Sequence, residues 1–273
     1  MRNIWAIYKR EIRAYFISPM AYALYVIFLV LCGFFFSSMV SYYAKYSMMV
    51  MQQRQYSGLP AFTEHVFRNL FGDMSIILLL MIPLLTMRLF AEEKKMGTME
   101  LLLTYPIRDI EVVLGKFFAA LSVVLLMLVL TLLYPVLARY AAGDQLEYAA
   151  VMCGYVGVFL MGTAFISTGI FLSSLTENQI VAAVITFGTL LMFWIIGWAS
   201  QLTEGLRVPI RILKITILTI DFSAILEQIS ILNHFEDFSK GVLDTGHVAY
   251  YLLFSVFFIF LTLRVLESNK WRG

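Results

Sequence analysis

Charged residues are scarce in this chain of 273 residues. Only 14% of the residues are Asp, Glu, Lys or Arg, against about a quarter in an average soluble domain. Hydrophobic residues make up 61%, which excludes an ordinary soluble domain and indicates a polytopic membrane protein. The formal net charge is +2, and no basic run with interleaved aromatic residues is present. The sequence therefore gives no support for nucleic acid as a partner.

The motifs of nucleotide-binding, hydrolytic and metal-binding sites are also missing. A phosphate-binding loop G-x(4)-G-K-[ST] is absent, because Gly115 and Lys116 lack the upstream glycine and are followed by Phe117. No serine lies in a nucleophile-elbow motif. The three histidines show no metal-ligand spacing. We therefore predict no catalytic residues, no metal site and no cofactor bound by this chain.

Cysteine is rare, and the positions of the two cysteines indicate a role in packing and not in catalysis or metal binding. Cys32 and Cys153 each fall inside an apolar run, in different predicted helices. A cysteine in such a setting behaves as a small buried hydrophobic residue. The pair therefore says little about the redox compartment.

Long apolar runs dominate what is present. A spanning helix needs about 20 predominantly apolar residues, and the second run reaches that length only if Arg88 extends to the interface. We predict one all-α transmembrane domain over residues 1–273, with six transmembrane helices. Their expected bounds are about 19–41, 72–91, 114–138, 148–173, 178–201 and 247–266. The fourth span carries four glycines, which indicates close helix packing.

Two external segments, 42–71 and 202–246, separate these helices. The first is polar and its role is not readable from the sequence. The second contains the apolar stretch 206–235, which carries five charged residues. A charge at a helix centre costs about 2.5 to 3.5 kcal/mol on insertion, which argues against a seventh span. We predict one or two amphipathic helices there, on or in the outer leaflet.

The N-terminal residues 2–16 have the pattern of an amphipathic helix that lies in the membrane interface. Apolar residues recur at helical spacing and basic residues gather on another side; they are Ile4, Trp5, Tyr8, Ile12 and Tyr15, and Arg2, Lys9 and Arg13. The alternative is a positively charged flank of the first span. Basic residues also concentrate in 1–18, 88–116, 173–179 and 264–273, with 12 of the 20 in these segments. This asymmetry predicts that both termini are cytoplasmic.

A polar-edged segment, 92–113, lies between the second and third spans. Residues 97–116 read GTMELLLTYPIRDIEVVLGK. The chain is expected to turn at Gly97, to form a short helix and to leave it before Pro106, which disfavours helical geometry in the preceding residue. Asp109 is an acceptable N-cap for the next helix, with Glu111 in its first turn. We predict a short cytoplasmic helix; the alternative is an ordinary connecting loop.

This segment resembles the loop between the second and third transmembrane helices of type-two ABC transporter permeases. The pattern is E-x(4)-G-T-x-E-L-L-x(3)-P-x(7)-L-G-K, carried by Glu92, Gly97, Thr98, Glu100, Leu101, Leu102, Pro106, Leu114, Gly115 and Lys116. The resemblance implies a coupling helix that sits in a cleft of a separate ATPase subunit. The implied coupling residues are Glu92, Glu93, Gly97, Thr98, Glu100, Leu101, Leu102 and Pro106.

The resemblance extends over essentially the whole chain. It implies that the N-terminal helix is an elbow helix that helps to contact the ATPase, through Trp5, Tyr8, Lys9, Arg10 and Arg13. Residues 233–244 and 266–271 are similar to the corresponding parts of the gliding-motility permease subgroup. The name of this subgroup does not establish a role in gliding.

The resemblance implies the membrane-spanning subunit of an ATP-binding cassette exporter in the bacterial cytoplasmic membrane. Its expected partners are the ATPase, which holds ATP and Mg, a second permease copy or paralogue, an accessory periplasmic or membrane subunit, and membrane lipid. The alternative is a secondary transporter or a polytopic membrane enzyme that works alone. Such proteins place ionisable residues within their spans, and these are scarce here. The substrate is not readable.

Overall fold

The computed structural model describes residues 2–52, 61–99, 107–142, 146–202, 207–212, 215–221 and 228–270. Helices dominate this part of the chain. They are α1 (Arg2–Ile17), α2 (Pro19–Gln52), α3 (Arg68–Thr86), α4 (Arg88–Lys95), α5 (Asp109–Thr131), α6 (Leu133–Ala142), α7 (Tyr148–Leu175), α8 (Gln179–Leu202), α9 (Ile231–Ser239) and α10 (Thr245–Lys270). A π-helical turn, Thr63–Phe67, leads directly into α3.

Six helical stretches of the described residues are long and apolar enough to cross a bilayer, which confirms the predicted number. They are Pro19–Val50, Thr63–Lys95, Asp109–Tyr140, Tyr148–Leu175, Gln179–Gly197 and Thr245–Ser268. The second contains the π-turn, α3 and α4, and the third joins α5 to α6. The first three are 32 or 33 residues long, longer than the predicted runs, because a helix does not end where its apolar run ends. The chain is a multi-pass membrane protein.

The bundle is organised around α7. This helix packs against α3, α5, α8, α9 and α10. Over their most apolar stretches, α7 and the span formed by α3 and α4 are each 72% buried, against 22% for α2, α8 and α10. Glycine allows the close approach: a Cβ atom at Gly169 would lie 2.2 Å from Thr86 Oγ1, and one at Gly154 would lie 2.0 Å from Phe71 Cε2. Two of the four glycines in the fourth span therefore mark tight packing against α3, and close helix packing was expected.

The segment before the last helix, which was predicted to be external, differs in part from the prediction. Strands β1 (Arg207–Ile212) and β2 (Ile215–Asp221) form an antiparallel hairpin, where amphipathic helices were expected. The sequence over 207–221 is rich in Val, Ile and Thr, and these β-branched residues favour strands. An amphipathic helix does follow in α9, whose Ile231, Phe235 and Phe238 are buried.

Candidate functional site

The junction between α3 and α4 is the first part of the candidate site. Pro83 lies in α3, which ends at Thr86, and the backbone N–H of Met87 donates to Pro83 O at 3.0 Å. Helix α4 then begins, with N–H groups that need partners outside their own helix. Ser173 of α7 supplies one: its Oγ accepts from Phe90 N and Ala91 N, both at 3.2 Å. The same hydroxyl donates to Met87 O at 3.0 Å, so α7 holds both sides of the junction.

Four charged side chains meet next to this junction, and we call them the four-charge cluster: Arg10 and Glu11 of α1, Glu93 of α4 and Lys116 of α5. Lys116 Nζ lies 2.9 Å from Glu93 Oε1 and 3.1 Å from Glu11 Oε1. Arg10 Nη2 lies 2.7 Å from Glu93 Oε1 and 2.6 Å from Glu11 Oε1. Each cation thus contacts both carboxylates, and three helices are joined at one point.

Three of the four side chains are largely withdrawn from solvent, whereas Arg10 is half exposed. The Lys116 side chain is 1% exposed, whereas those of Glu11 and Glu93 are 12% and 13% exposed. Phe90 also covers the ammonium group, with the Lys116 Nζ atom 5.2 Å from the ring centroid. A buried ammonium group is tolerated only when it is paired and hydrogen-bonded. The three helices must therefore keep their mutual positions for Lys116 to keep both of its partners.

The electrostatics of α1 follow from this geometry. Burial opposes ionisation of Glu11, but Lys116 and Arg10 outweigh burial and hold the pKa of this carboxyl below its usual value. Burial also opposes the charge on Arg10, and the carboxylates of Glu11 and Glu93 outweigh it, which raises the pKa of the guanidinium. The cluster contains two basic and two acidic side chains. The cluster is thus electrically neutral as a whole.

Helix α1 lies along α5 beyond the cluster as well. Asn3 Nδ2 donates to Glu111 Oε2 at 3.0 Å. The hydroxyls of Tyr8 and Ser122 are 3.0 Å apart. Between them, a Cβ atom at Gly115 would lie 2.7 Å from Ile7 Cγ2, so only glycine allows this approach. Gly115 therefore allows the close contact with α1, and Lys116 adds an ion pair with Glu11 of the same helix.

The residues predicted for the elbow helix separate into two groups. Arg10 belongs to the four-charge cluster. Trp5 is exposed and stacks on Tyr8, with ring centroids 5.0 Å apart, and Lys9 Nζ lies 5.2 Å from the Trp5 centroid. Arg13 is exposed. The exposed tryptophan and cations form one surface of α1, on which contact with an ATPase stays a prediction.

The predicted coupling residues are described only in part. Gly97 has a φ of +67°, a left-handed conformation that favours glycine, and Thr98 Oγ1 donates to Glu93 O at 3.2 Å. Glu92 is half-buried. The remaining ones lie outside the described residues, and the coupling helix stays a prediction; these are Glu100, Leu101, Leu102 and Pro106.

The start of α5 differs slightly from the expected cap. Asp109 was predicted as the N-cap, but it is the first helical residue, and Arg108 has the extended backbone of the cap position. Glu111 satisfies this end, because its Oε2 accepts from the Arg108 backbone N–H at 3.3 Å. Glu111 was expected in the first turn of this helix, and its carboxylate is the group that caps the helix start.

Two members of the four-charge cluster were missed as site residues. Glu11 is the one acid in the basic stretch 2–16, and Lys116 was noted only as part of the Leu-Gly-Lys pattern. The sequence did contain a signal. An isolated acidic residue among basic ones needs a partner, and so does a basic residue at the start of an apolar run. Glu11 and Lys116 are 105 positions apart, so the sequence does not show that each is the other's partner.

Comparison with known proteins identifies a family. A family model described as "ABC-2 family transporter protein" matches residues 5–266, from the first turn of α1 to the last turns of α10. No curated protein matches the chain.

Proposed function

The chain belongs to the ABC-2 family of transporter proteins, and we therefore propose that it is the membrane-spanning permease subunit of an ATP-binding cassette exporter. Its work is mechanical transmission. A separate ATPase subunit binds and hydrolyses ATP with Mg, and this chain converts the movement of that subunit into opening and closing of a path through the bundle. The functional residues of such a subunit are contacts and connections between elements.

The four-charge cluster is the observation that supports this proposal most directly. Glu93 lies four residues before Gly97, where the chain turns into the segment predicted to dock on the ATPase. The same carboxylate contacts Arg10 of α1 and Lys116 of α5. A displacement of the coupling segment would therefore act at once on the elbow helix and on the third transmembrane helix.

A second connection leads from the same segment into the bundle core. The start of α4 is bonded to Ser173, which lies near the end of α7. Helix α7 is packed against four other transmembrane elements of the described chain. A tilt of α4 would thus reach α7, a largely buried helix, through hydrogen bonds of fixed geometry. Exposed apolar faces on α2, α8 and α10 are available to lipid and to a second permease copy or paralogue.

We place the protein in the bacterial cytoplasmic membrane with both termini and the four-charge cluster on the cytoplasmic side. The distribution of Lys and Arg supports this orientation. The resemblance of residues 233–244 and 266–271 supports membership of the gliding-motility subgroup and an accessory subunit on the external side.

The test is assembly with an ATPase. The chain is co-expressed with the ABC ATPase encoded nearest to its gene and purified through a tag on the chain. Leu101→Asp should abolish co-purification of the ATPase while membrane insertion is retained. Val242→Asp is the matched control, since Val242 is an exposed apolar residue of the external segment, and it should leave co-purification intact. If Leu101→Asp and Val242→Asp retain equal amounts of ATPase, the docking assignment is wrong.

A further inference from the structure

A cavity of about 470 Å³ lies beside the four-charge cluster. Its walls come from α1, from the first turns of α2 and from the α3–α4 junction, with Met96 and Thr98 beyond α4 and Lys116 of α5. Its volume is within the range of about 300 to 1,000 Å³ that is usual for small-molecule sites. The mechanical role proposed above makes no use of this cavity.

The wall that α3 and α4 provide changes character along its length. Leu84, Arg88 and Glu92 follow one another at intervals of four residues and all line the cavity. Residues four apart lie on one face of a helix, about 6 Å apart along its axis. The face therefore presents, in order, an apolar group, a cation and an anion.

The opposite wall has the same polarity. Arg88 Nη1 donates to Ser18 Oγ at 3.4 Å, which brings the start of α2 level with the α3–α4 junction. Further along α2, the buried residues Ala21 and Leu24 also line the cavity. Both walls are thus polar at the end near α1 and apolar at the end that faces the bundle.

The charges in the cavity leave one cation and one anion available. Six charged side chains line it, and four of them form the neutral four-charge cluster. The other two are Arg88 and Glu92. Within the part of the chain that the structure describes, neither of these makes an ion pair, although they are four residues apart on one helix. A purely anionic ligand at Arg88 would be repelled by Glu92, whereas a zwitterion would satisfy both.

We propose that this cavity binds phosphatidylethanolamine. The phosphate of this lipid lies between its acyl chains and its ammonium group, which is the order of Leu84, Arg88 and Glu92. The guanidinium of Arg88 can donate two hydrogen bonds to the phosphate. The primary ammonium donates to the Glu92 carboxylate, and the upper part of the acyl chains packs on Leu24, Leu84 and Leu85. The bound lipid fills the space between α1 and the α3–α4 junction.

Competitive lipid binding to the purified full-length chain tests this site. The protein is delipidated in detergent and titrated with an equimolar mixture of phosphatidylethanolamine and phosphatidylglycerol, and the bound lipids are counted by native mass spectrometry. We expect one tightly held phosphatidylethanolamine per chain, preferred about fivefold over phosphatidylglycerol, the preference that one charge pair of moderate strength supplies. Equal retention of the two lipids by the wild-type chain would overturn the proposal.

Variants separate this site from general lipid association. Glu92→Lys should reverse the preference in favour of phosphatidylglycerol, and Arg88→Gln should lower retention of both lipids. Lys95→Gln is the matched control, because Lys95 is an exposed cation of the same helix that does not line the cavity.

Leu84→Trp, which fills the apolar end of the cavity, should also reduce lipid retention without a change of charge. Thermal unfolding shows whether each variant is folded. If Glu92→Lys is misfolded, Glu92→Gln replaces it, and this variant should abolish the preference without reversing it. Retention of the wild-type preference by folded Glu92 variants contradicts the assignment.

Discussion

Lys116 and Glu93 form an ion pair of 2.9 Å that joins the first turns of α5 to the end of α4. The lysine side chain is almost fully buried, and its second partner is Glu11 of α1. The three residues come from three helices that are separated in the chain. Their meeting point therefore fixes the relative positions of α1, of the end of α4 and of the third transmembrane helix.

Replacement of Lys116 by Met should destabilise the protein by about 3 kcal/mol, because two largely buried carboxylates then share only Arg10. The measurement is thermal or denaturant unfolding in detergent. Lys95→Met is the control, since Lys95 is exposed and should change stability by less than about 0.5 kcal/mol. Equal effects of the two substitutions would contradict the burial of Lys116 between its two carboxylate partners.

Replacement of Glu93 by Gln should impair transmission and leave docking intact. The neutral amide keeps the shape of the side chain but loses its charge pairs with Arg10 and Lys116. We expect the purified complex with the ATPase to assemble normally and to hydrolyse ATP severalfold more slowly. Glu267→Gln, an exposed carboxylate on α10, is the control and should match the wild type. Wild-type hydrolysis by the Glu93 variant would remove the cluster from the coupling path.

The contribution of Glu11 to stability should depend on pH. Its pKa is lower in the folded protein than its ordinary value of 4.5, so the folded state favours the ionised form. The stabilisation is therefore complete above pH 4.5 and is lost as the pH falls through the lower, folded-state pKa.

Unfolding of the wild type and of Glu11→Gln, measured from pH 7 to pH 3, checks this dependence. The wild type should be more stable at pH 7, and the difference should shrink at the acidic end. A difference that stays constant over this range would mean that Glu11 acts by its shape alone.

Substitution of Gly115 by Ala should destabilise the packing of α1 on α5. The new Cβ atom would lie 2.7 Å from Ile7 Cγ2 and 2.9 Å from Ile7 Cβ, and such overpacking costs about 1 to 3 kcal/mol. At Gly188, where a Cβ atom meets nothing within 4 Å, the same change should be neutral or stabilising. The double variant Gly115→Ala with Ile7→Ala should recover part of the loss, and the absence of any coupling between the two sites would contradict the contact.

Removal of the Ser173 hydroxyl should weaken the α3–α4 junction. The N–H groups of Phe90 and Ala91 then lose their shared acceptor, and a buried unsatisfied donor costs about 1 to 3 kcal/mol. Its neighbour Ser174 donates to Phe171 O within its own helix, so Ser174→Ala should cost less. Unfolding of the two alanine variants in the same detergent gives the comparison, and a larger loss at Ser174 would refute the junction's dependence on Ser173.

The six spans were predictable because each apolar run approaches or exceeds the thickness of a bilayer, a property of local composition. The turn at Gly97 was predictable for a similar reason, since it depends on one residue. Residues 207–221 were misjudged because their charges were weighed and their β-branched residues were not. The four-charge cluster was beyond reach, because a pairing of Glu11 with Lys116 depends on how α1 folds back along α5. The seating of Leu101 and Leu102 stays a prediction.

The order of the cluster along the chain bears on biogenesis. Arg10, Glu11 and Glu93 all precede Lys116, so both carboxylates and the guanidinium have already been synthesised when α5 enters the membrane. The lysine can thus be neutralised as soon as its helix inserts. A nascent chain without α1 would instead bring a half-compensated ammonium group to the membrane boundary, where an unpaired charge is costly. Synthesis of α1 and α4 before α5 therefore provides the partners of Lys116 in advance.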